Sequence, residues 1–104
     1  MGNPYRGEVE LTVNGAPVTL RLTLGALAEL EDGLGEDSIL GLVERFETGG
    51  FNVRDIAAVI RAGLAGGGVP MDPGALAEAE IDGGPMAAAR AAARLLNLTF
   101  AVPE

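Results

Sequence analysis

The chain has 104 residues and a formal net charge of −8, a length that predicts one domain, spanning residues 1–104, with a small core. It contains neither Cys nor His, which excludes disulfides and thiolate metal sites and removes the commonest general base and metal ligand. The negative charge disfavours a nucleic-acid partner, and the absence of a long apolar run or signal-peptide core predicts a cytoplasmic protein without a membrane partner.

The first predicted element is a β-hairpin over about residues 8–24. Residues 8–13 alternate between polar and apolar side chains, and residues 18–24 do the same, which is typical of half-buried strands. Asn14-Gly15 lies between them and is the strongest short signal for a tight hairpin turn. A lone hairpin is marginal in water, so its apolar face is expected to lie on helices.

Two pairing registers keep the apolar faces of this hairpin together. A two-residue loop places Leu11 opposite Val18, whereas a four-residue loop places Leu11 opposite Leu20. We favour the four-residue loop because Pro17 cannot donate a ladder hydrogen bond and fits better within the loop.

The hydrophobic period becomes helical after the hairpin, and start and stop signals divide residues 25–97 into four or five short helices. The predicted starts are Gly25, Asp37 or Ser38, Asn52, Asp72-Pro73 and Pro85, and the predicted ends are Gly33 to Gly35, Gly49-Gly50, Gly66 to Gly68, Gly83-Gly84 and Asn97.

The third of these helices has an apolar stripe and ends in a run of three glycines. The run at 66–68 lacks the Gly-Lys-Ser/Thr ending of a phosphate-binding loop, so we interpret it as a flexible joint. The stripe is formed by Val53, Ile56, Ala57, Ile60 and Leu64. The predicted core of the whole chain is Val9, Leu11, Leu20, Leu22, Leu27, Leu30, Leu34, Ile39, Val43, Phe46, Ile56, Ile60, Leu64 and Leu96.

These elements predict an α+β fold in which an N-terminal antiparallel β-hairpin packs on a small bundle of four to five short α-helices. No pattern in the sequence predicts catalysis. Ser38 is the only Ser, and the chain has no His or Lys to activate it. The acidic residues between Glu29 and Asp37 do not follow the spacing of a calcium loop. We therefore expect no enzyme activity, no cofactor and no metal site.

The C-terminal part holds the candidate partner-binding residues. Arg90 and Arg94 lie one turn apart on an Ala-rich helix, which fits either a binding surface or an ordinary exposed stripe. The apolar residues Leu98, Phe100 and Val102 predict a short extended tail. We favour docking of this tail on the hairpin as a third strand, and the alternative is an exposed patch that a partner covers.

Three stretches carry a family resemblance that covers nearly the whole chain. They are Asn-Pro-Tyr-Arg-Gly-Glu-Val at 3–9, Leu-Arg-Leu-Thr-Leu-Gly-Ala-Leu-Ala-Glu-Leu-Glu at 20–31 and Asp-Ile-Ala-Ala-Val-Ile-Arg-Ala-Gly-Leu at 55–64. In order and spacing, the chain resembles the tail assembly chaperones of gene transfer agents and related phages, a family that has also carried a tail tube protein label.

The resemblance implies a protein that binds the long tape measure protein and keeps it soluble until the tail tube polymerises around it. Tail tube subunits and further copies of the chain are the other partners that it implies. The alternative is a structural tail component, either a tail tube or a connector subunit. A tube wall normally needs a sizeable β-sheet, and the two clear strands predicted here favour the chaperone.

Overall fold

The computed structural model describes residues 7–35 and 38–100, and it has the predicted α+β architecture of an N-terminal hairpin followed by helices. Two antiparallel strands are followed by five helices within these residues. The elements are β1 (Val9–Val13), β2 (Ala16–Leu20), α1 (Leu24–Gly33), α2 (Ile39–Thr48), α3 (Val53–Gly66), α4 (Pro73–Glu78) and α5 (Gly84–Phe100).

The hairpin uses the two-residue loop, so the favoured four-residue loop is wrong. Leu11 pairs with Val18, and the loop residues Asn14 and Gly15 have φ values of 52° and 80°, as a type I′ turn requires. Pro17 lies opposite Thr12, where the alternation of an antiparallel ladder places no interstrand hydrogen bond. The lack of an N–H at Pro17 therefore removes no hydrogen bond between the two strands.

Backbone segments from elsewhere in the chain cover part of both hairpin edges. On the β1 side, the N–H of Asn14 donates to the carbonyl of Glu80 at 2.7 Å, and the N–H of Asp82 donates to the carbonyl of Thr12 at 3.0 Å. On the β2 side, the N–H of Arg21 donates to the carbonyl of Gly63 in α3 at 3.0 Å. The place next to β1 is thus taken by a bridge at residues 80–82.

The C-terminal residues do not form the extended third strand that the sequence favoured. Leu98 and Phe100 belong to α5, which continues without interruption to Phe100. Between Pro85 and Pro103 the sequence has no Gly or Pro that would break the helix. The alternating apolar residues at the end of α5 fit a helix as well as a strand. Val102 lies outside the described residues.

Local capping signals fix four helix starts. Thr23, Ser38 and Asp72 accept hydrogen bonds from the backbone three residues on, and Asn52 forms a complete capping box with Asp55. Asp37, the alternative cap, lies outside the described residues. The fourth helix ends at Glu78 rather than at Gly83-Gly84, because the chain becomes extended from Ala79 to reach the hairpin.

The core lies where α3 and α5 meet the inner face of the hairpin. Eight of the predicted core residues are buried: Val9, Leu11, Leu20, Leu22, Leu30, Ile60, Leu64 and Leu96. Six others are half-buried. Five of them pack against this core, namely Leu27, Leu34, Val43, Phe46 and Ile56, and the sixth is Ile39. The prediction omitted several buried side chains, including Val13, Leu42, Val59 and Leu95.

The glycines at the end of α3 are packing positions, so the predicted flexible joint is wrong at Gly66 and Gly67. A Cβ on Gly66 would overlap the carbonyl oxygen of Arg21, and one on Gly67 would overlap that of Thr19. Glycine is needed here because the helix backbone lies directly against the backbone at the end of β2.

Candidate functional site

The outer face of α5 carries the two arginines that the sequence singled out. We define this α5 outer face by Met86, Arg90, Arg94, Asn97 and Phe100, which are spaced by three or four residues and are all exposed. Met86 is 65% exposed and Phe100 is 36% exposed. The helix contains no acidic residue, so its own charges on this face are positive, while Glu10 and Asp82 line the groove beside its two arginines.

Both arginines are available for a partner. Within residues 7–35 and 38–100, neither Arg90 nor Arg94 makes an ion pair or a side-chain hydrogen bond. They line a groove of about 330 Å³ beside β1, which also includes Thr12 and Asp82. Arg94 additionally lines a groove of about 600 Å³ between α2 and α5. This second groove is lined by both Arg94 and Phe100, two of the candidate partner-binding residues.

The other two predicted contact residues are Leu98 and Val102. Leu98 is half-buried and packs against the core, so its side chain contributes to folding as well as to the surface. Val102 lies outside the described residues. Next to Phe100 in the larger groove, the ring of Phe46 is stacked on that of Phe51 at a centroid distance of 4.7 Å, which gives this groove an aromatic wall.

Sequence reasoning missed an apolar groove of about 450 Å³ between α3, α4 and the start of α5. Arg61 is the only charged residue in its lining. The remaining walls come mainly from apolar side chains, and on α3 these are Val53, Ile56, Ala57, Ala58 and Ile60. The sequence did indicate this groove, because the apolar stripe predicted on the third helix is wider than the side of α3 that is buried in the core.

Val53 and Ala57 show this difference directly. Both belong to the apolar stripe that the sequence predicted on the third helix, but Val53 is 77% exposed and Ala57 is exposed as well. The core side of the helix is rotated toward Val59, Ala62 and Gly63. An apolar groove is therefore built from residues that belong to the predicted apolar stripe.

An ion pair next to the apolar groove holds α2 to α3. Arg45 donates to both carboxylate oxygens of Asp55, at 2.9 and 3.0 Å, and the N–H of Asn52 donates to the same carboxylate at 3.0 Å. The hydrogen bonds from Arg45 hold the pKa of Asp55 below its usual value, although burial acts in the opposite direction. Since all its oxygens are engaged in this way, the carboxylate has a structural role.

Residues 7–35 and 38–100 contain no cluster of three or more side chains that could hold a metal ion. Over the same residues, no helix is long and apolar enough to cross a lipid bilayer. The surfaces that stand out are a positive helix face and apolar grooves, which are features of protein contacts.

A comparison with known protein families identifies the family of this chain. The family described as phage tail tube protein, GTA-gp10, matches residues 6–102. The chain belongs to this family. A search of curated proteins and a search of solved structures each found no match.

Membership in the GTA-gp10 family confirms the coarser part of the sequence resemblance, which is the link to gene transfer agents and phage tails. The family description names a tail tube protein and does not name a chaperone or a tape measure partner. It therefore fits the structural alternative better than the chaperone that the sequence analysis favoured.

Proposed function

We propose that this protein is a non-enzymatic, protein-binding component in the building of a phage-like or gene transfer agent tail. The observation that carries the proposal is the family match over residues 6–102. The positive α5 outer face and the apolar groove on α3 support it, because both are surfaces of the kind that proteins bind. Nucleic acid, membrane and cofactors have no part in the proposal.

The first candidate for the finer role is a structural subunit of the tail. The family description supports this role more directly than any other. In that role the protein stays in the particle, as a tube or connector subunit, and its partners are tail tube subunits and further copies of the chain. The exposed α5 outer face then serves as a permanent contact.

The second candidate is a tail assembly chaperone, and one observation favours it. The sheet has only two strands of five residues each in the described part of the chain. Backbone groups near the hairpin tip are already bonded to residues 80–82, and Arg21 is bonded to α3. A subunit that builds a tube wall by sheet extension would need free strand edges, whereas a chaperone needs an apolar groove.

In the chaperone role, the groove between α3, α4 and α5 receives an apolar helical stretch of the tape measure protein in the cytoplasm. Helix docking of this kind uses apolar side chains spaced by three and four residues. On the groove side, Val53, Ile56, Ala57 and Ile60 have that spacing over about two helical turns. The partner leaves when tail tube subunits replace the chaperone.

Mass spectrometry of purified particles separates the two roles. A structural subunit is expected in many copies per tail, and a chaperone is expected to be absent from finished particles while its gene is still required for tails. Co-expression with the tape measure protein of the same gene cluster provides the second arm. A stable soluble complex supports the chaperone. Complete tails in cells that lack this protein would contradict both roles.

A further inference from the structure

Residues 70–82 form a segment on the outside of the fold in which no residue is buried. We call this segment the α4 strap, because it contains α4 and the extended residues that lead to α5. Four of its side chains are half-buried and pack against the core, namely Met71, Leu76, Ala79 and Ile81, and its other residues are exposed. A segment with so little buried apolar surface belongs to the least stable part of a fold.

The hydrogen bonds that hold the strap to the hairpin lie at one end of it. The N–H of Asn14 donates to the carbonyl of Glu80 at 2.7 Å, and the N–H of Asp82 donates to the carbonyl of Thr12 at 3.0 Å. The N–H of Glu80 donates to Oδ1 of Asn14 at 2.8 Å. Asn14, Glu80 and Asp82 are exposed, so water competes for these three bonds, and we expect neighbouring bonds of this kind to break together.

Glycines lie at both ends of the strap. Gly68 has a φ of 87° and Gly83 a φ of 85°, and backbone without a Cβ rotates easily at such positions. Just before the strap, the N–H of Val69 donates to the carbonyl of Leu64 in α3 at 2.9 Å. Just after it, α5 begins at Gly84. Rotation at the two glycines would therefore move the strap and leave α3 and α5 in place.

The strap forms one wall of the apolar groove on α3. Leu76 and Ile81 line the groove from the strap, and Ile56 and Ile60 line it from α3. The groove has a volume of about 450 Å³, whereas two turns of a helix about 10 Å wide occupy about 850 Å³. While the strap is in place, the groove therefore receives one side of a helix only. Removal of this wall would widen the groove and expose more of Ile56 and Ile60.

We propose that the α4 strap is a lid on the apolar groove, which moves away from the hairpin as one unit while both strands, α3 and α5 stay folded. The open form presents the apolar side of α3 to a partner. The closed form keeps the exposed apolar surface of the free protein small. The inference rests on the chaperone candidate for the identity of the partner, while the motion is a property of this chain alone.

Native-state hydrogen exchange of the full-length wild type tests the motion. One opening releases the N–H groups of Asn14, Glu80 and Asp82, so they are expected to share one protection factor, at least about 100-fold below that of the slowest amides of α3. The internal control is the N–H of Arg21, which donates to Gly63 at the other hairpin edge at 3.0 Å and should exchange only on global unfolding. Strap amides as protected as Arg21, or three unrelated protection factors, would overturn the lid.

A disulfide that closes the lid gives the matched comparison. Val13 and Ile81 form an isolated antiparallel bridge, and the hydrogen bonds of their neighbours make them a pair without mutual bonds, with Cα atoms about 4.5 Å apart. Because the chain has no Cys, the variant Val13→Cys with Ile81→Cys has one possible internal disulfide. Its reduced form is the control. Oxidation should slow the exchange of Asp82 to that of Arg21, and equal exchange in both forms would contradict the lid.

Asn14→Gly changes the strap in the opposite direction. Glycine adopts the φ of 52° at this position but removes the acceptor for the N–H of Glu80. Asp82 is the reporter, since its own backbone bond is untouched, and it should exchange about 5-fold faster relative to Arg21, the effect of one lost hydrogen bond. Gly15→Asn alters the same turn and keeps Asn14, so this ratio should not change. An unchanged ratio in Asn14→Gly would show bonds that open independently and would overturn the single lid.

Binding to the tape measure protein of the same gene cluster tests what the lid controls. Circular dichroism first confirms that both forms of the disulfide variant are folded. The reduced form is expected to bind at least about 10-fold more tightly than the oxidised form, because only the open state is competent. Equal binding would overturn the lid and leave the chaperone candidate standing. If neither form nor the wild type binds, the chaperone candidate fails, and the exchange results alone support or overturn the lid.

Discussion

The two sides of α3 are both apolar, but they are packed very differently. On the inner side, Gly63 lies against Leu20 and Leu95, and Gly66 lies against the backbone of Arg21, so an added methyl group has no space. On the outer side, Val53 and Ala57 line an open groove. An apolar stripe in a sequence therefore identifies a helix face that is expected to be buried. Only the tertiary structure shows whether other parts of the same chain bury it.

The largest expected effect is on the inner side, at Gly66. In Gly66→Ala, the new methyl group would overlap the backbone carbonyl of Arg21, and backbone cannot yield as a flexible side chain does. We expect a loss of about 3 kcal/mol or more in the free energy of unfolding. Chemical denaturation measures it.

The matched control for Gly66→Ala is Gly33→Ala in α1, where a Cβ meets nothing within 4 Å. Alanine favours helix over glycine by about 0.5–1 kcal/mol, so this variant is expected to be as stable as the wild type or more so. Equal stability of Gly66→Ala and the wild type would show that α3 does not lie against β2 as described.

The next effect concerns the ion pair that fixes the start of α3 to α2. Arg45→Met leaves the buried carboxylate of Asp55 without its two hydrogen bonds from the guanidinium. We expect a loss of about 2 kcal/mol in the free energy of unfolding, between the values for exposed and fully buried pairs. Arg54→Met, at an exposed neighbouring position, is expected to change stability by less than about 0.5 kcal/mol.

The same pair predicts a pH dependence of stability. The pKa of Asp55 is lowered in the folded state, chiefly by hydrogen bonds from Arg45, so protonation favours the unfolded chain. The contribution is fully present above the unfolded pKa of about 4 and is lost as the pH falls through the lower folded pKa. The stability difference between wild type and Arg45→Met should therefore shrink in acid. A difference that grows in acid would contradict this assignment.

A smaller effect is expected at the hairpin turn, which is remote from α3. Gly15 has a φ of 80° and no neighbour within 4 Å of a Cβ, so Gly15→Ala tests conformation without a packing change. We expect a loss of about 1 kcal/mol. Gly15→Asn, which tolerates positive φ better, should lose less. Equal losses in thermal unfolding would argue against the two-residue turn.

The smallest effect on stability is expected on the outer side of α3, where Ala57→Glu places a charge in the apolar groove. Because Ala57 is exposed, the free energy of unfolding should change by less than about 0.5 kcal/mol. Binding to tail proteins from the same gene cluster should nevertheless be lost in pull-down assays. Ala75→Glu, exposed on α4 outside the groove lining, is the control that should bind normally.

The features that the sequence predicted correctly depend on short-range chemistry. The caps at Ser38 and Asn52, the Asp72-Pro73 helix start and the position of the hairpin turn at Asn14-Gly15 are fixed by residues at most three positions apart. The hairpin followed by helices comes from a change of hydrophobic period, which is also local.

The features that the sequence missed depend on distant contacts. The preference for a longer hairpin loop rested on Pro17 alone and overlooked that alternate strand residues make no ladder bond. The glycines at 66 and 67 resemble a joint until the backbone of Arg21 and Thr19 is brought against them. The apolar groove was hidden because Val53 and Ala57 have the same spacing whether a neighbouring helix covers them or not.

The hydrogen bonds between Asn14 and Glu80 have a consequence for the nascent chain. The side chain of Asn14 accepts from the N–H of Glu80, a residue 66 positions later. The hairpin leaves the ribosome before residues 80–100, so this contact and the cover that α5 gives to β1 exist only after those residues have emerged. The chain loses the conformational entropy of this long loop before the contacts that close it can stabilise the fold. A ribosome stalled before residue 80 would therefore leave the apolar side of β1 without the cover that α5 gives it.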